Sequence, residues 1–269
     1  MVILINLSHL VYAEDIYILY TSNTNGMIEN CGCGADPLGG IARVKSFIDQ
    51  FREKYRHVFV LDGGDYFNSY PFPELNEAMY SALLLSQYDC IVPGDQAFVE
   101  GDEFFSKYVS ALGDKLILTN TNSGFDSEMI KKYGSYQIKI YGYLSPYIFD
   151  FIKKPQNPKL INFVDAKPEP QENKDFQIAV IHGYLSNAEQ FAVENSSVKL
   201  ILLSHDQRQG IWEKNQATII GNGKDSEYIS VIKLTPGSTW KISVEQHKIH
   251  QDLPEDAQIV NVIEQYKNK

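Results

Sequence analysis

Cysteine is scarce in this chain, three among 269 residues, too few to hold a small fold together by a disulfide framework. Basic residues are also outnumbered. Lys and Arg total 24 against 34 Asp and Glu, a formal net charge of −10. Such a surface repels a phosphate backbone, which excludes general nucleic-acid binding. It attracts phosphorylated small molecules no better, so a ligand of that kind needs a metal or a few local donors. Beyond the first residues no apolar run approaches the roughly 20 residues of a membrane span, so no membrane span is expected in the mature chain. There is no internal repeat and no low-complexity stretch, which excludes a solenoid.

What is present suffices for a packed core. Apolar residues make up 43% and aromatics 12%, well outside the range of disordered chains. The length fits one large domain or two modest ones. Met1–Ala13 (MVILINLSHLVYA) is mostly apolar, carries Val11 and Ala13 at the −3 and −1 positions of a signal-peptidase site, and runs directly into Glu14 and Asp15. It lacks a basic start, and a short buried strand is the alternative reading. We expect 1–13 to be an export signal, which places the mature protein in the periplasm or outside the cell.

Short β-branched runs then alternate with helical patterns. Strands are predicted over Asp15–Thr21, His57–Leu61, Cys90–Val92, Lys115–Thr119 and Tyr136–Leu144. Helices are predicted over Gly39–Tyr55, where Ile41, Val44, Phe47, Ile48 and Phe51 follow the i, i+3, i+4 rule, and over Glu74–Gln87. The proline-rich stretch Lys153–Lys174 reads as a connector around a short strand, Leu160–Val164. The second half continues with strands at Gln177–Ile181 and Val198–Leu203 around a helix near Ala188–Glu194. It ends in strands at Ala217–Ile220, Tyr228–Leu234 and Trp240–His247 and a helix over Glu255–Lys267. Near-continuous apolar strands alternating with helices predict an α/β protein with a parallel or mixed sheet covered on both faces.

Chemistry in such sheets gathers at the carboxyl ends of strands. Those ends carry Asn23, Asn25, Asp65, Asp95, Asn120, His182 and His205. Around them stand Ile18-Leu19-Tyr20-Thr21, Leu38-Gly39-Gly40-Ile41-Ala42-Arg43, Leu61-Asp62-Gly63-Gly64-Asp65, Pro93-Gly94-Asp95-Gln96, Val180-Ile181-His182-Gly183 and Leu202-Leu203-Ser204-His205. In this order and spacing the chain resembles the calcineurin-like metallophosphoesterases, in particular their 5′-nucleotidase branch, over nearly all of Asp15–His250. The resemblance implies a two-sheet β-sandwich flanked by helices (α/β/β/α). On this basis residues 14–250 form the domain and 251–269 a linker-like helix.

In that family two divalent ions, about 3.5–4 Å apart, clamp a phosphoryl group and generate a hydroxide. Carried over residue by residue, the pattern survives in part. The first ion's Asp and His fall on Asn23 and Asn25, and its last His falls on Gln207. The acid/base His falls on Gln96. The second ion's positions fall on Asp65, Asp95 (where the family has Asn), His182 and His205, a set of two carboxylates and two imidazoles that suits one Zn²⁺, Mn²⁺ or Fe²⁺. Neutral amides ligate poorly and cannot shuttle protons. The expectation is therefore a scaffold that has given up hydrolysis and binds a small ligand or protein partner. A slow single-ion phosphoester hydrolase is the alternative. The family's second, nucleoside-binding domain has no counterpart in these residues, so nucleotide specificity is not expected.

Cys31-Gly32-Cys33-Gly34 lies in the loop after the first strand, and a related exported group looks similar there. Two thiols at this spacing suit a soft metal or a strained bridge, or else merely shape a glycine-rich loop. They define a second alternative, a thiol- or metal-handling protein. Cys90 begins a buried strand and reads as core.

Overall fold

The structure, a computed structural model, describes residues 14–30, 32, 37–122, 124–168 and 174–268. The expected export segment and both Cys31 and Cys33 lie outside the described residues. Two sheets carry the fold. The first has the strand order β11-β10-β1-β2-β3, built from β1 (Ile16–Thr21), β2 (Val58–Asp62), β3 (Cys90–Ile91), β10 (Tyr228–Thr235) and β11 (Lys241–Lys248). The second has the order β4-β5-β6-β7-β9-β8, built from β4 (Met129–Tyr133), β5 (Tyr136–Leu144), β6 (Asp175–Gly183), β7 (Leu200–His205), β8 (Gln209–Lys214) and β9 (Ala217–Asn222). Parallel pairing runs through β1-β2-β3 and through β5-β6-β7-β9, with antiparallel strands at the margins.

Alternation along each strand explains the layers. Ile16, Ile18 and Tyr20 of β1, Phe59 and Leu61 of β2, and Phe176, Ile178 and Val180 of β6 face inward and form the core between the sheets. The intervening residues face outward onto helices. Leu19 and Val60 meet α1 (Ile41–Lys54), α2 (Pro73–Ser86), α3 (Asp102–Leu112) and α5 (Ala257–Lys267), while Ala179, Ile181 and Ile201 meet α4 (Leu185–Glu194). Because both faces of these strands are covered, their sequences read as unbroken apolar runs. Each fully buried Ile or Leu contributes about 1.5–3 kcal/mol. The result is the expected four-layer α/β/β/α sandwich. Asp256 caps α5 by accepting from the amides of Gln258 and Ile259 at 3.0 and 2.9 Å, and Ile259 and Ile263 bury that helix in the outer core.

Several local expectations need correction. Lys115–Thr119 is not a strand; it makes isolated bridges at Leu116 and Ile117 while its apolar side chains fill the core. Leu160–Val164 likewise gives one bridge at Leu160 and a 3₁₀ turn over Phe163–Asp165. In both, apolar content reflects burial rather than pairing. The sequence reading also passes over α3, β4 and β8. The last two are edge strands with alternating, half-exposed polar sequences that depend on the partner strand for their identity. Among the described residues no helix is long and apolar enough to cross a membrane.

Candidate metal centre

Parallel strands end at one edge of the sandwich, and the loops leaving them bring the site together. His182 is the last inward-facing residue of β6, and His205 closes β7. The β6–β7 register pairs His182 with Ser204 and Gly183 with His205, which seats the two imidazoles on neighbouring strands. Asp65 and Asp95 follow β2 and β3 in the other sheet. These two loops approach so closely that a Cβ on Gly94 would fall 2.5 Å from Asp65 Oδ1 and from His182 Cε1, and one on Gly64 would fall 2.5 Å from the Gly94 amide nitrogen. Only glycine fits at either position.

Ligand atoms of Asp65, Asp95, His182 and His205 lie within 4.8 Å of one another. His182 Nε2 is 3.1 Å from both Asp65 Oδ1 and Asp95 Oδ1. His205 Nδ1 is 3.1 Å from Asp95 Oδ1 and 3.5 Å from Asp65 Oδ2. The opposite edge of the His182 ring sets its orientation, with Nδ1 2.7 Å from the Gly63 carbonyl and 2.8 Å from Ser204 Oγ. Nδ1–H donating to that carbonyl leaves the Nε2 lone pair directed at the two carboxylates, as second-sphere partners of metal-bound histidines do. Asp65 Oδ1 is buried and has no hydrogen bond of proper geometry, despite its short approach to His182. A carboxylate oxygen orphaned among two imidazoles and a second carboxylate is a donor set that suits a divalent cation.

The electrostatics without a cation agree. Burial would raise the Asp65 carboxyl, but the charge and hydrogen bonds of His182 and His205 outweigh it and hold the group well below the ordinary carboxylate range. Burial would lower both histidines, yet the two aspartates push His182 up to about 10 and His205 up to about 9. In the absence of a metal the imidazoles therefore hold protons in its place. Asn23, Asn25, Asp65 and His205 all adopt left-handed φ values between 54° and 67°, a region that Asn and Asp tolerate and that costs His205 more.

The positions expected for a first ion behave differently. Asn23 is fully buried. Its Nδ2 donates to the Gly223 carbonyl at 2.7 Å, and its Oδ1 accepts from the His205 amide at 2.8 Å. Asn25 Nδ2 donates to the Asn23 carbonyl at 2.9 Å and to Asp225 Oδ1 at 3.0 Å. The Gln96 amide end lies 3.0 Å from both Asn25 Oδ1 and Ser69 Oγ. Gln207 is exposed. Asn120, another strand-end residue, is spent on the backbone of Leu144 and Ile161. The sequence reading missed Ser204 and Gly63, which orient His182. It also missed Tyr184, whose ring stands edge-on 5.2 Å from His205 at the mouth and is 41% exposed. Ser204 directly precedes His205 in the Leu-Leu-Ser-His run; nothing in the sequence singles out Tyr184.

Two facing sheets with a helical layer outside each, and carboxylates and imidazoles gathered at the strand ends, define the calcineurin-like phosphoesterase fold. Comparison with known proteins agrees at the level of the fold. The 5′-nucleotidase precursor of Thermus thermophilus superposes with a TM-score of 0.81 over 95% of this chain at 13% identity, and this chain covers 59% of that one. The calcineurin-like phosphoesterase YfkN of Bacillus subtilis superposes with a TM-score of 0.74 at 16% identity, covering 94% of this chain and 97% of its counterpart. In sequence, the chain is 30% identical to the snake venom 5′-nucleotidase of Crotalus adamanteus in an alignment of 145 positions that covers 49% of this chain and 23% of the venom protein. It thus spans about a quarter of that relative's length. No family model matches the chain.

Proposed function

We propose that this chain is an exported protein of phosphoesterase fold that holds one divalent ion, Zn²⁺, Mn²⁺ or Fe²⁺, at Asp65, Asp95, His182 and His205. In this reading it binds a small ligand or protein partner there and has lost most phosphoester hydrolysis. Residues 1–13 are the export signal, 14–250 the domain, and 251–269 a linker-like helix. One observation carries the reading: both ends of the buried Asn23 amide are committed to the Gly223 carbonyl and the His205 amide. The position expected to hold a first ion is instead a clip between loops.

A bound ion would supply positive charge to an anionic ligand oxygen. The chain supplies the rest. Gly63 and Ser204 fix the ring of His182, and the half-buried His205 leaves the cluster open on one side. Gln96 has no titratable group with which to protonate a leaving oxygen. The opening at His205 is also what favours the alternative, a slow single-ion hydrolase that admits substrate from that side. The thiol-based alternative rests on Cys31 and Cys33 alone; changing both to Ser should alter metal content if it holds.

Metal analysis and a phosphatase assay test the proposal. Purified full-length protein is expected to bind one Mn²⁺ or Zn²⁺ per chain and to turn over p-nitrophenyl phosphate more slowly than about 1 s⁻¹, the low end of ordinary enzymes. Two ions per chain, or turnover in the ordinary range, would overturn it.

A further inference from the structure

Beside the metal cluster lies a cleft of about 1200 Å³, ample for a small organic ligand. Its floor is aromatic. Phe98 and Phe105 are buried with ring centroids 4.2 Å apart, and Phe125 extends the row 6.3 Å from Phe105. Two more aromatics line it while standing out in solvent, Tyr70 at 67% exposure and Phe151 at 87%. Rings left this open offer flat apolar area to a ligand that stacks on them.

The charged residues of the lining are segregated by chain segment. Glu100 and Asp102 come from the junction between the 3₁₀ turn Asp95–Phe98 and α3; Lys153 and Lys154 come from the connector after β5. Glu100 is held by the fold, since its Oε1 accepts from the Phe72 amide and from Nδ2 of the fully buried Asn76, both at 2.6 Å. Among the described residues, Lys153, Lys154 and Asp102 have no ion-pair partner. An anion alone would meet the carboxylates unpaired, and a cation alone the lysines. A hydrocarbon would desolvate both lysines and Asp102 without compensation.

We propose that this cleft binds a small zwitterion with an aromatic body, of the aromatic α-amino-acid class. Its ammonium group pairs with Glu100 and Asp102, its acidic group with Lys153 and Lys154, and its ring lies on the phenylalanine floor. Ser69 lines the cleft and lies 3.0 Å from the Gln96 amide, one residue from Asp95, so an occupied cleft adjoins the metal cluster. The assignment stands whether or not an ion is bound there.

The test is a ligand-observed NMR titration of the full chain with phenylalanine, 3-phenylpropionate and phenethylamine, which share a ring and differ in charge. Phenylalanine is expected to bind saturably, and each singly charged analogue more weakly by about fivefold, the effect of one exposed charge pair. The exposed double variant K153A/K154A should bring phenylalanine down to the affinity of phenethylamine, and Asp102→Asn should weaken it while sparing 3-phenylpropionate. Circular dichroism confirms that both variants fold. Equal affinity for phenylalanine and 3-phenylpropionate, unchanged binding in K153A/K154A, or no saturable binding of phenylalanine would overturn the proposal.

Discussion

Asn23→Asp places an acidic residue where the family resemblance expects one, and on the present structure it should destabilise the protein. Asn23 sits at φ 54°, and Asp tolerates the left-handed region about as well as Asn, so the substitution changes chemistry without changing backbone strain. The new carboxylate keeps the acceptor for the His205 amide but loses the donor to the Gly223 carbonyl 2.7 Å away. A lost hydrogen bond costs about 1 kcal/mol. A buried, unpaired carboxylate facing carbonyl oxygens adds a few more, so the total is about 3 kcal/mol. For a chain of this size that lowers Tm by roughly 6–12 °C. The sign of the pH dependence follows. The folded state raises this carboxyl above its unfolded value, so the penalty is present at neutral pH and fades as the pH falls and a proton restores a donor. Thermal melts of N23D and wild type with chelator, at pH 7 and pH 5, measure both effects. A variant that melts within a degree or two of wild type at pH 7 would refute the clip. Full rescue of its stability by Mn²⁺ would show a first-ion site one residue from completion, against the single-ion reading.

Three further outcomes follow from the same geometry. Gly94→Ala drives a methyl to within 2.5 Å of Asp65 Oδ1 and His182 Cε1; it should abolish Mn²⁺ and Zn²⁺ binding by calorimetry and cost about 1–3 kcal/mol. Because the metal-free histidines are raised to about 10 and about 9, ion uptake at pH 7 should release close to two protons, and affinity should climb as the pH rises towards 9. Calorimetry in two buffers of different ionisation enthalpy counts those protons; release of none would show that the histidines are not ligands. Burial pushes the Asp62 carboxyl up to about 7, with the Thr21 hydroxyl and the Gly64 amide as partial offsets. Its contribution to stability is therefore greatest below its unfolded value and is lost as the pH rises through about 7. Asp62→Asn, whose oxygen can still accept from the Gly64 amide while its NH2 donates to the Thr21 hydroxyl, should remove that slope from urea denaturation of the metal-free protein between pH 5 and pH 8.

The sequence alone determined the layered α/β architecture and the polar strand ends, and the family resemblance picked the four candidate ligands from among them. A strand covered on both faces must be apolar throughout, as Ile18–Tyr20 and Ile178–Ile181 are, and the polar residue that ends such a run stands out without an alignment. His182 is legible for that reason; Asp65, Asp95 and His205 stand a few residues beyond such a run, and it is the resemblance to the metallophosphoesterases that separates these four from Asn23, Asn25 and Asn120. Elements whose identity is set by a neighbour were not: β4 and β8 are polar edges fixed by pairing to β5 and β9. The α3 helix did leave a trace, with Phe104, Phe105, Tyr108 and Leu112 on one face. The tertiary structure decided what the amides do. Read along the chain, Asn23, Asn25 and Gln96 are only the absence of ligands. Folded, Asn23 joins the loop after β1 to Gly223 and His205, 200 and 182 residues away, and Asn25 meets Asp225 and lies against Gln96. A hydrogen bond depends on where its partner lies in space, and no local pattern encodes a partner two hundred residues distant.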